Sequence, residues 1–288
     1  MHLTYLQTIF LGLLQGITEL FPVSSLGHAV LVPAWIGGSF GKFVSDNNDS
    51  YLSITVAMHL ASAIALFLVF RSRWVTLISA GIGSIRKRNY TGEKLNASRV
   101  FWLIVIATLP AGVLGLALQK HITKIFGDAK YTAIFLTING IILIVAERLT
   151  RKSVAGEIKD ENAEIVHHVG NGQAVVIGFG QSLALLAGIS RFGISMSAGL
   201  IRGLNHRVAA DFAFLLSLPI ILAAAVVKIP HLAHISGGYG SIIVGSIVSF
   251  FATYVSIKFL VKWFKTQTLY PFAIYCLIFG IASLIKFH

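Results

Sequence analysis

The sequence predicts an all-α polytopic membrane protein. Six transmembrane helices and two re-entrant, broken helices are expected, arranged as an inverted-topology repeat. Three observations carry this. The 288 residues are 56% hydrophobic and only 12% charged, roughly half the charged share of a soluble domain. Apolar runs long enough to span a bilayer recur along the chain. Two further apolar segments are interrupted by polar residues at matching places, Glu19–His28 and Gly188–Arg191.

The first segment runs as an apolar helix from Leu3 to Phe21. Pro22 removes a backbone donor and disfavours helix at Phe21, so the helix breaks there. Ser24 and Ser25 are good N-caps for a new helix through Gly27 and His28 to Trp35. Gly37–Ser50 reads as a Gly/Asn/Asp loop. Tyr51–Phe70 is the first clear span, and Arg71–Arg99 a basic loop. Phe101–Leu118 and Tyr131–Ala146 span next, and Glu147–Gly172 reads as an exposed polar loop. Gln173–Leu204 then repeats the opening pattern, breaking at Gly188-Ile-Ser-Arg191. Val208–Val227, Ser241–Leu260 and Leu269–Ile285 complete the spans, with a loop at Lys228–Gly240. The chain reads as one integral-membrane domain, residues 1–288, with halves of about 1–147 and 173–288 joined by 148–172.

Placing Arg71–Arg99 inside the cell and alternating puts fifteen Lys and Arg inside and five in the outer loops, as the positive-inside rule asks. The first broken segment then enters from outside and the second from inside, which is an inverted repeat. An offset of 166 residues echoes it: Gln15/Gln181, Leu20/Leu186, Ser24/Ser190 and Gly27/Gly193. The formal charge of +12 sits mainly between apolar runs, so it reads as topology and contact with anionic lipid rather than nucleic-acid binding. Cys276 is the only cysteine, which excludes disulfides within the chain and a cysteine-based metal site. No Lys or Arg precedes Lys42, so no cleaved signal peptide is expected.

Two breaks entering from opposite faces would meet near mid-membrane, each opening a helix whose N-terminus carries free N–H groups and partial positive charge. With Arg191 beside them they make an anion pocket suited to phosphate. Gln15 and Glu19, four apart, share one helix face aimed at it. An arginine at the bilayer centre costs about 2.5–3.5 kcal/mol on insertion scales, more than a packing role justifies.

Gln15-Gly-Ile-Thr-Glu19 followed by Pro22-Val-Ser-Ser-Leu-Gly-His28 resembles the first signature of the undecaprenyl-diphosphate phosphatase, or bacitracin-resistance, family. Gly188-Ile-Ser-Arg191 with Ser195 resembles its second, and Leu109–Gly115 and Asp211–Pro219 resemble further family segments. The resemblance implies hydrolysis of the terminal phosphate of a polyprenyl diphosphate carrier at the extracytoplasmic side of the plasma membrane. That reaction recycles the carrier in cell-wall synthesis and accompanies bacitracin resistance. It implies Ser25 as nucleophile or phosphate ligand, His28 as its acid/base partner or itself the nucleophile, Glu19 as orienting group and Arg191 as clamp. Gln15, Ser24, Gly188, Ser190 and Ser195 would line the substrate. A divalent cation (Mg or Ca) held by Glu19, with Gln15, is the cofactor this suggests; membrane lipid and a second copy of the chain are the expected partners. The sequence departs from the family pattern at Ala187, Phe192 and Ser195, where proline, serine and threonine are usual.

The same architecture suits a transporter or flippase of an anionic lipid or small anion, but a serine and a histidine beside the anion pocket favour hydrolysis. His59 either lines the cavity or bonds a neighbouring helix. Asp211 reads as a helix N-terminal charge, His167-His168 as solvated, and Gly193/Ser197 and Gly199/Gly203 as close helix packing. Trp35, Trp74, Trp102 and Trp263 read as interface anchors.

Overall fold

A computed structural model describes residues 3–46, 48–86, 89–125, 127–150, 160–232 and 239–288. Among these residues every regular element is helical. In chain order they are α1 Tyr5–Thr18, α2 Ser25–Ile36, α3 Gly38–Asp46, α4 Asn48–Val69, α5 Arg71–Ile85, α6 Gly92–Ala117 and α7 Gln119–Ile125. Then follow α8 Ala129–Leu149, α9 Glu161–His168, α10 Asn171–Ser182, a 3₁₀ turn at Leu183–Leu185, α11 Arg191–Ile201, α12 His206–Leu232, α13 Tyr239–Trp263 and α14 Tyr270–Lys286. Among the described residues five helices are long and apolar enough to cross a membrane: Tyr51–Val69, Gly92–Ala117, Ala129–Leu149, His206–Val227 and Tyr239–Trp263. The expected sixth span, α14, is apolar but 17 residues long.

Both expected breaks are present. α1 ends at Thr18 and α2 begins at Ser25; α10 ends at Ser182 and α11 begins at Arg191. Each new helix is capped by a serine. Ser24 Oγ accepts from Gly27 N at 3.2 Å, and Ser190 Oγ accepts from Gly193 N at 3.0 Å. Ser24 has φ +69°, the only described non-glycine residue in the left-handed region, a conformation that costs free energy and persists only where the surroundings hold it. α1 packs on α13, α10 on α6, and α8 on α14. Close backbone approach sets the first two contacts. A Cβ on Gly12 would meet Gly245 O at 2.1 Å, and one on Gly178 would meet Ala107 O at 2.5 Å.

Several loops expected from composition are helices instead. Residues 71–85 form α5, whose Trp74, Leu77 and Ala80 bury one face against α6; the arginines at its start obscured that apolar period. Residues 38–46 form α3, anchored by buried Phe40, Phe43 and Val44. Part of the polar connection is α9, capped by Asp160 through Asn162 N at 2.9 Å; residues 151–159 lie outside the described residues. α12 continues through Pro230 to Leu232, so only 233–238 of the expected loop lie outside the description. Trp74 is buried at 5% exposure rather than anchored at an interface. Asp211 is not at a helix start. It lies five residues inside α12, 3.4 Å from Arg73, which also meets Glu161 at 3.0 Å. His168 is tied to the Glu164 carbonyl at 3.0 Å rather than freely solvated.

Candidate active site

The two breaks face one another and are cross-braced by neutral hydrogen bonds. Ser24 Oγ accepts from Gly188 N across the pocket at 3.2 Å. Ser190 Oγ donates to Phe21 O at 3.3 Å. Gly188 sits at φ +114°, and a Cβ there would strike Thr132 O at 2.5 Å, so only glycine fits this turn. The central brace is Asn139 of α8, fully buried. Its Nδ2 donates to Pro22 O at 2.9 Å, and its Oδ1 accepts from Ser190 N at 2.9 Å. Sequence reasoning missed Asn139; an amide in the middle of an apolar span was the signal that could have found it.

Between the breaks lies a small pocket lined by Glu19, Ser24, Ser25, His59, Ser190 and Arg191, with Leu26, Ala184 and Ile189 as apolar walls. Glu19 is its hub. Glu19 Oε2 accepts from Ser25 Oγ at 2.6 Å and from Gln15 Nε2 at 2.5 Å, and it lies 3.1 Å from His59 Nε2. The other oxygen, Oε1, faces Arg191 Nη1 at 3.7 Å. That is an ion pair too long for a hydrogen bond. Arg191 Nη1, Gln15 Oε1 and Ser195 Oγ are buried without a hydrogen-bond partner among the described residues. Buried polar atoms are seldom left so, and each exception asks for an explanation.

Of the residues expected in the site, Gln15, Glu19, Ser24, Ser25, Ser190 and Arg191 are therefore brought together, with Gly188 in the turn beside them and Ser195 buried on α11. His28 is not brought to the Ser25 hydroxyl. Its Nδ1 donates to Ser24 O at 2.7 Å and its Nε2 meets the Tyr275 hydroxyl at 2.7 Å, the two rings stacked at 5.5 Å. The reason is helical: His28 lies three residues after Ser25 on α2, and its ring turns back to the break carbonyl and α14. The imidazole that does reach Ser25 is His59 of α4, with Nε2 3.4 Å from Ser25 Oγ. Phe192 stacks on Phe214 at 4.6 Å, fully buried and away from the pocket. Its departure from the family pattern is thus a core-packing feature.

A hard divalent cation takes oxygen ligands, and the pocket offers one carboxylate, Glu19, and one free amide oxygen, Gln15 Oε1. Among the described residues no three His, Cys, Asp or Glu side chains gather as a metal site. The donor set fits such an ion only where substrate phosphate oxygens complete its coordination.

Next to the polar pocket, and sharing His59, Arg191, Leu26 and Ala184 with it, is a cavity of about 220 Å³. Its other walls are almost wholly apolar, including Val56, Ala111, Leu185, Ile220 and Ala224. A larger groove of about 550 Å³ between α4 and α13 is also apolar but touches neither Glu19, Ser25 nor Arg191.

Fold and site together define a multi-pass helical membrane protein with a buried polar site, where a hydroxyl, a carboxylate and a guanidinium converge. Residues 8–282 match the family described as bacitracin resistance protein BacA, and the chain belongs to that family. It is 42% identical to undecaprenyl-diphosphatase 2 of Frankia alni, over 100% of this chain and 99% of that protein. It is 43% identical to undecaprenyl-diphosphatase of Mycolicibacterium paratuberculosis, over 99% of this chain and 97% of that one. Undecaprenyl-diphosphatase 2 of Burkholderia ambifaria is 38% identical over 95% of this chain and 93% of its own length.

Proposed function

We propose that the chain hydrolyses the terminal phosphate of undecaprenyl diphosphate, releasing the lipid monophosphate and inorganic phosphate. The observation that carries this is the convergence of Ser25 Oγ, Glu19 and Arg191 at the starts of α2 and α11. Two helix N-termini and a guanidinium attract the diphosphate. The apolar cavity alongside takes the first part of the prenyl tail. Ser25 Oγ attacks the terminal phosphorus as its proton passes to Glu19, 2.6 Å away, and the bond to the bridging oxygen breaks, freeing the monophosphate. Water then displaces the serine, which recovers its proton from Glu19. Arg191 takes the phosphoryl charge, the dominant need in this chemistry. Glu19 and Gln15 Oε1 would hold a magnesium or calcium ion, which would supply further neutralisation of phosphate charge. Ser24, Gly188 and Ser190 hold the cradle, and Ser195 offers a buried hydroxyl on the same helix as Arg191. His28 fixes the Ser24 carbonyl rather than carrying a proton.

The transporter reading is set aside, because the relatives carry the name of a diphosphatase. In this reading α14 is the sixth span and the halves form an inverted repeat. The reciprocal packing of α1 on α13 and α10 on α6 supports it. So does Gly12/Gly178, a further pair at the 166-residue offset, at the same close approach. The whole chain forms one domain in the plasma membrane, opens its site to the extracytoplasmic side and pairs with a second copy.

Full-length protein purified in detergent should convert undecaprenyl diphosphate to monophosphate and one equivalent of phosphate. Absence of phosphate release from folded protein would overturn the reading.

A further inference from the structure

The apolar cavity of about 220 Å³ meets the phosphate pocket at His59 and Arg191, so it lies directly behind any diphosphate that Arg191 clamps. Pockets that enclose even a drug-sized ligand hold about 300–1,000 Å³. This one takes only the start of a polyprenyl chain, and the rest of the chain needs a way out. The wall between α6 and α12 provides one. Leu116 of α6 lines the cavity and is nonetheless 62% exposed, and Ala223 and Ala224 of α12 line it and are exposed as well. All three lie inside the apolar spans Gly92–Ala117 and His206–Val227. This side of the cavity therefore opens at the depth of the bilayer and not in a loop.

Gly112 lines the same cavity, four residues before Leu116 and so on the same face of α6. Glycine inside a helix costs stability relative to alanine, and elsewhere in the long spans the reason is visible. A Cβ on Gly140 would meet Ala273 O at 2.9 Å, and one on Gly245 would meet Thr8 O at 2.6 Å. Gly92 opens its helix at φ +57°. At Gly112 neither reason holds: φ is not positive, and a Cβ would meet nothing within 4 Å. Among the described residues, no other part of the chain uses the space that the missing side chain leaves, and that space belongs to the cavity. We propose that the prenyl tail of the substrate leaves the site sideways between α6 and α12, and that Gly112 holds this outlet open, which makes it the residue that admits a long tail. The proposal rests on the reaction proposed above. The occupant is the tail of the substrate itself, because the outlet is continuous with the cavity that Arg191 borders, and a lipid seated there carries its anionic head at the guanidinium. A diphosphate on a short tail ends within the cavity and has no need of the outlet, so tail passage and phosphate chemistry are separable.

The test measures phosphate release by full-length protein in detergent from undecaprenyl diphosphate and from dimethylallyl diphosphate, which carries the same head on a single prenyl unit. Gly112→Phe puts a ring into the outlet. Its kcat/KM on undecaprenyl diphosphate should fall at least about tenfold, mostly through KM, because excluding two methylene-sized groups from an apolar wall already costs that factor. On dimethylallyl diphosphate it should stay within about threefold of wild type, which also shows that the variant is folded with its phosphate site intact. Gly112→Ala, whose methyl meets nothing, should match wild type on both substrates within about twofold. Where wild type does not turn over the short diphosphate, its inhibition of undecaprenyl diphosphate turnover is read instead, and the inhibition constant should be unchanged in Gly112→Phe. If Gly112→Phe does not fold, Ala224→Phe, on the α12 wall of the same cavity, carries the same test. Equal losses on the two substrates, or no loss on either, overturn the outlet. A wild type that releases no phosphate refutes the reaction instead. Displacement of a labelled polyprenyl diphosphate by the long and the short diphosphate then decides the outlet, which stands only if Gly112→Phe weakens the long one alone.

Discussion

Replacing Asn139 with leucine, close in size but without polar atoms, should damage catalysis far more than folding. The side chain closes the gap between the breaks through Pro22 O and Ser190 N, each at 2.9 Å. Loss of a partner for a buried polar group costs about 1–3 kcal/mol, so two orphaned groups cost about 2–6. Pro22 O retains a weak contact from the Cys276 thiol at 3.8 Å, which sets the expectation in the lower part, about 2–4 kcal/mol. Both bonds join the two breaks to α8, so the cost is expected to fall on the local geometry that aligns Ser25 with Arg191. At about 1.4 kcal/mol per factor of ten, the competent arrangement becomes roughly 30- to 1000-fold rarer. Turnover of undecaprenyl diphosphate in detergent measures this directly, with size-exclusion profile and thermal unfolding as fold controls. A folded Asn139→Leu protein with turnover within threefold of wild type would refute the brace.

Arg191→Lys should lose most activity in a folded protein, because a point charge does not replace a planar bidentate fork on phosphate; near-wild-type turnover in the lysine variant rules out the clamp. Ser25→Ala should lose the reaction almost entirely, whereas His28→Phe, which keeps the stacking on Tyr275, should lose about tenfold through the loosened Ser24 turn; equal inactivation of both would restore His28 as the partner of Ser25. Cysteines introduced at Lys94 and at Lys42 report orientation in intact cells, where an impermeant thiol reagent should label only the latter; Cys276, buried at 0% exposure, serves as the silent control, and reversed labelling moves the site opening to the cytoplasm.

The breaks were legible because proline, capping serines and glycine act on the backbone locally, so residues 18–25 and 185–191 could be read without knowing their neighbours. The convergence of Glu19, Ser25 and Arg191 was legible too, since buried charges need partners and a lipid-facing arginine is costly. What escaped was everything decided by helix rotation. Which way the rings of His28 and His59 point depends on how α2 and α4 are turned within the bundle, and no residue near either histidine encodes that. The helices α3 and α5 escaped for another reason. Their exposed faces carry Lys42, Arg71 and Arg86, and a count of polar residues hides an apolar stripe set by tertiary contact.

The arrangement around Glu19 explains how a buried guanidinium stays charged yet available. At 3.7 Å the Arg191–Glu19 attraction is about 4 kcal/mol in an environment of intermediate polarity, enough to offset much of the cost of placing an arginine in the membrane. Because the contact is not a hydrogen bond, Nη1 keeps its donor free. A phosphate therefore gains a full charge-assisted hydrogen bond without first breaking one. The same carboxylate accepts from Ser25 and Gln15 through its other oxygen, so in the proposed reaction taking the serine proton removes the very charge that balanced Arg191. At that moment the guanidinium's only remaining counter-charge is the phosphoryl group in transfer. In the proposed reaction Glu19 thus couples proton transfer to charge stabilisation, so that one carboxylate suffices where Gln15 occupies the second position on the same helix face.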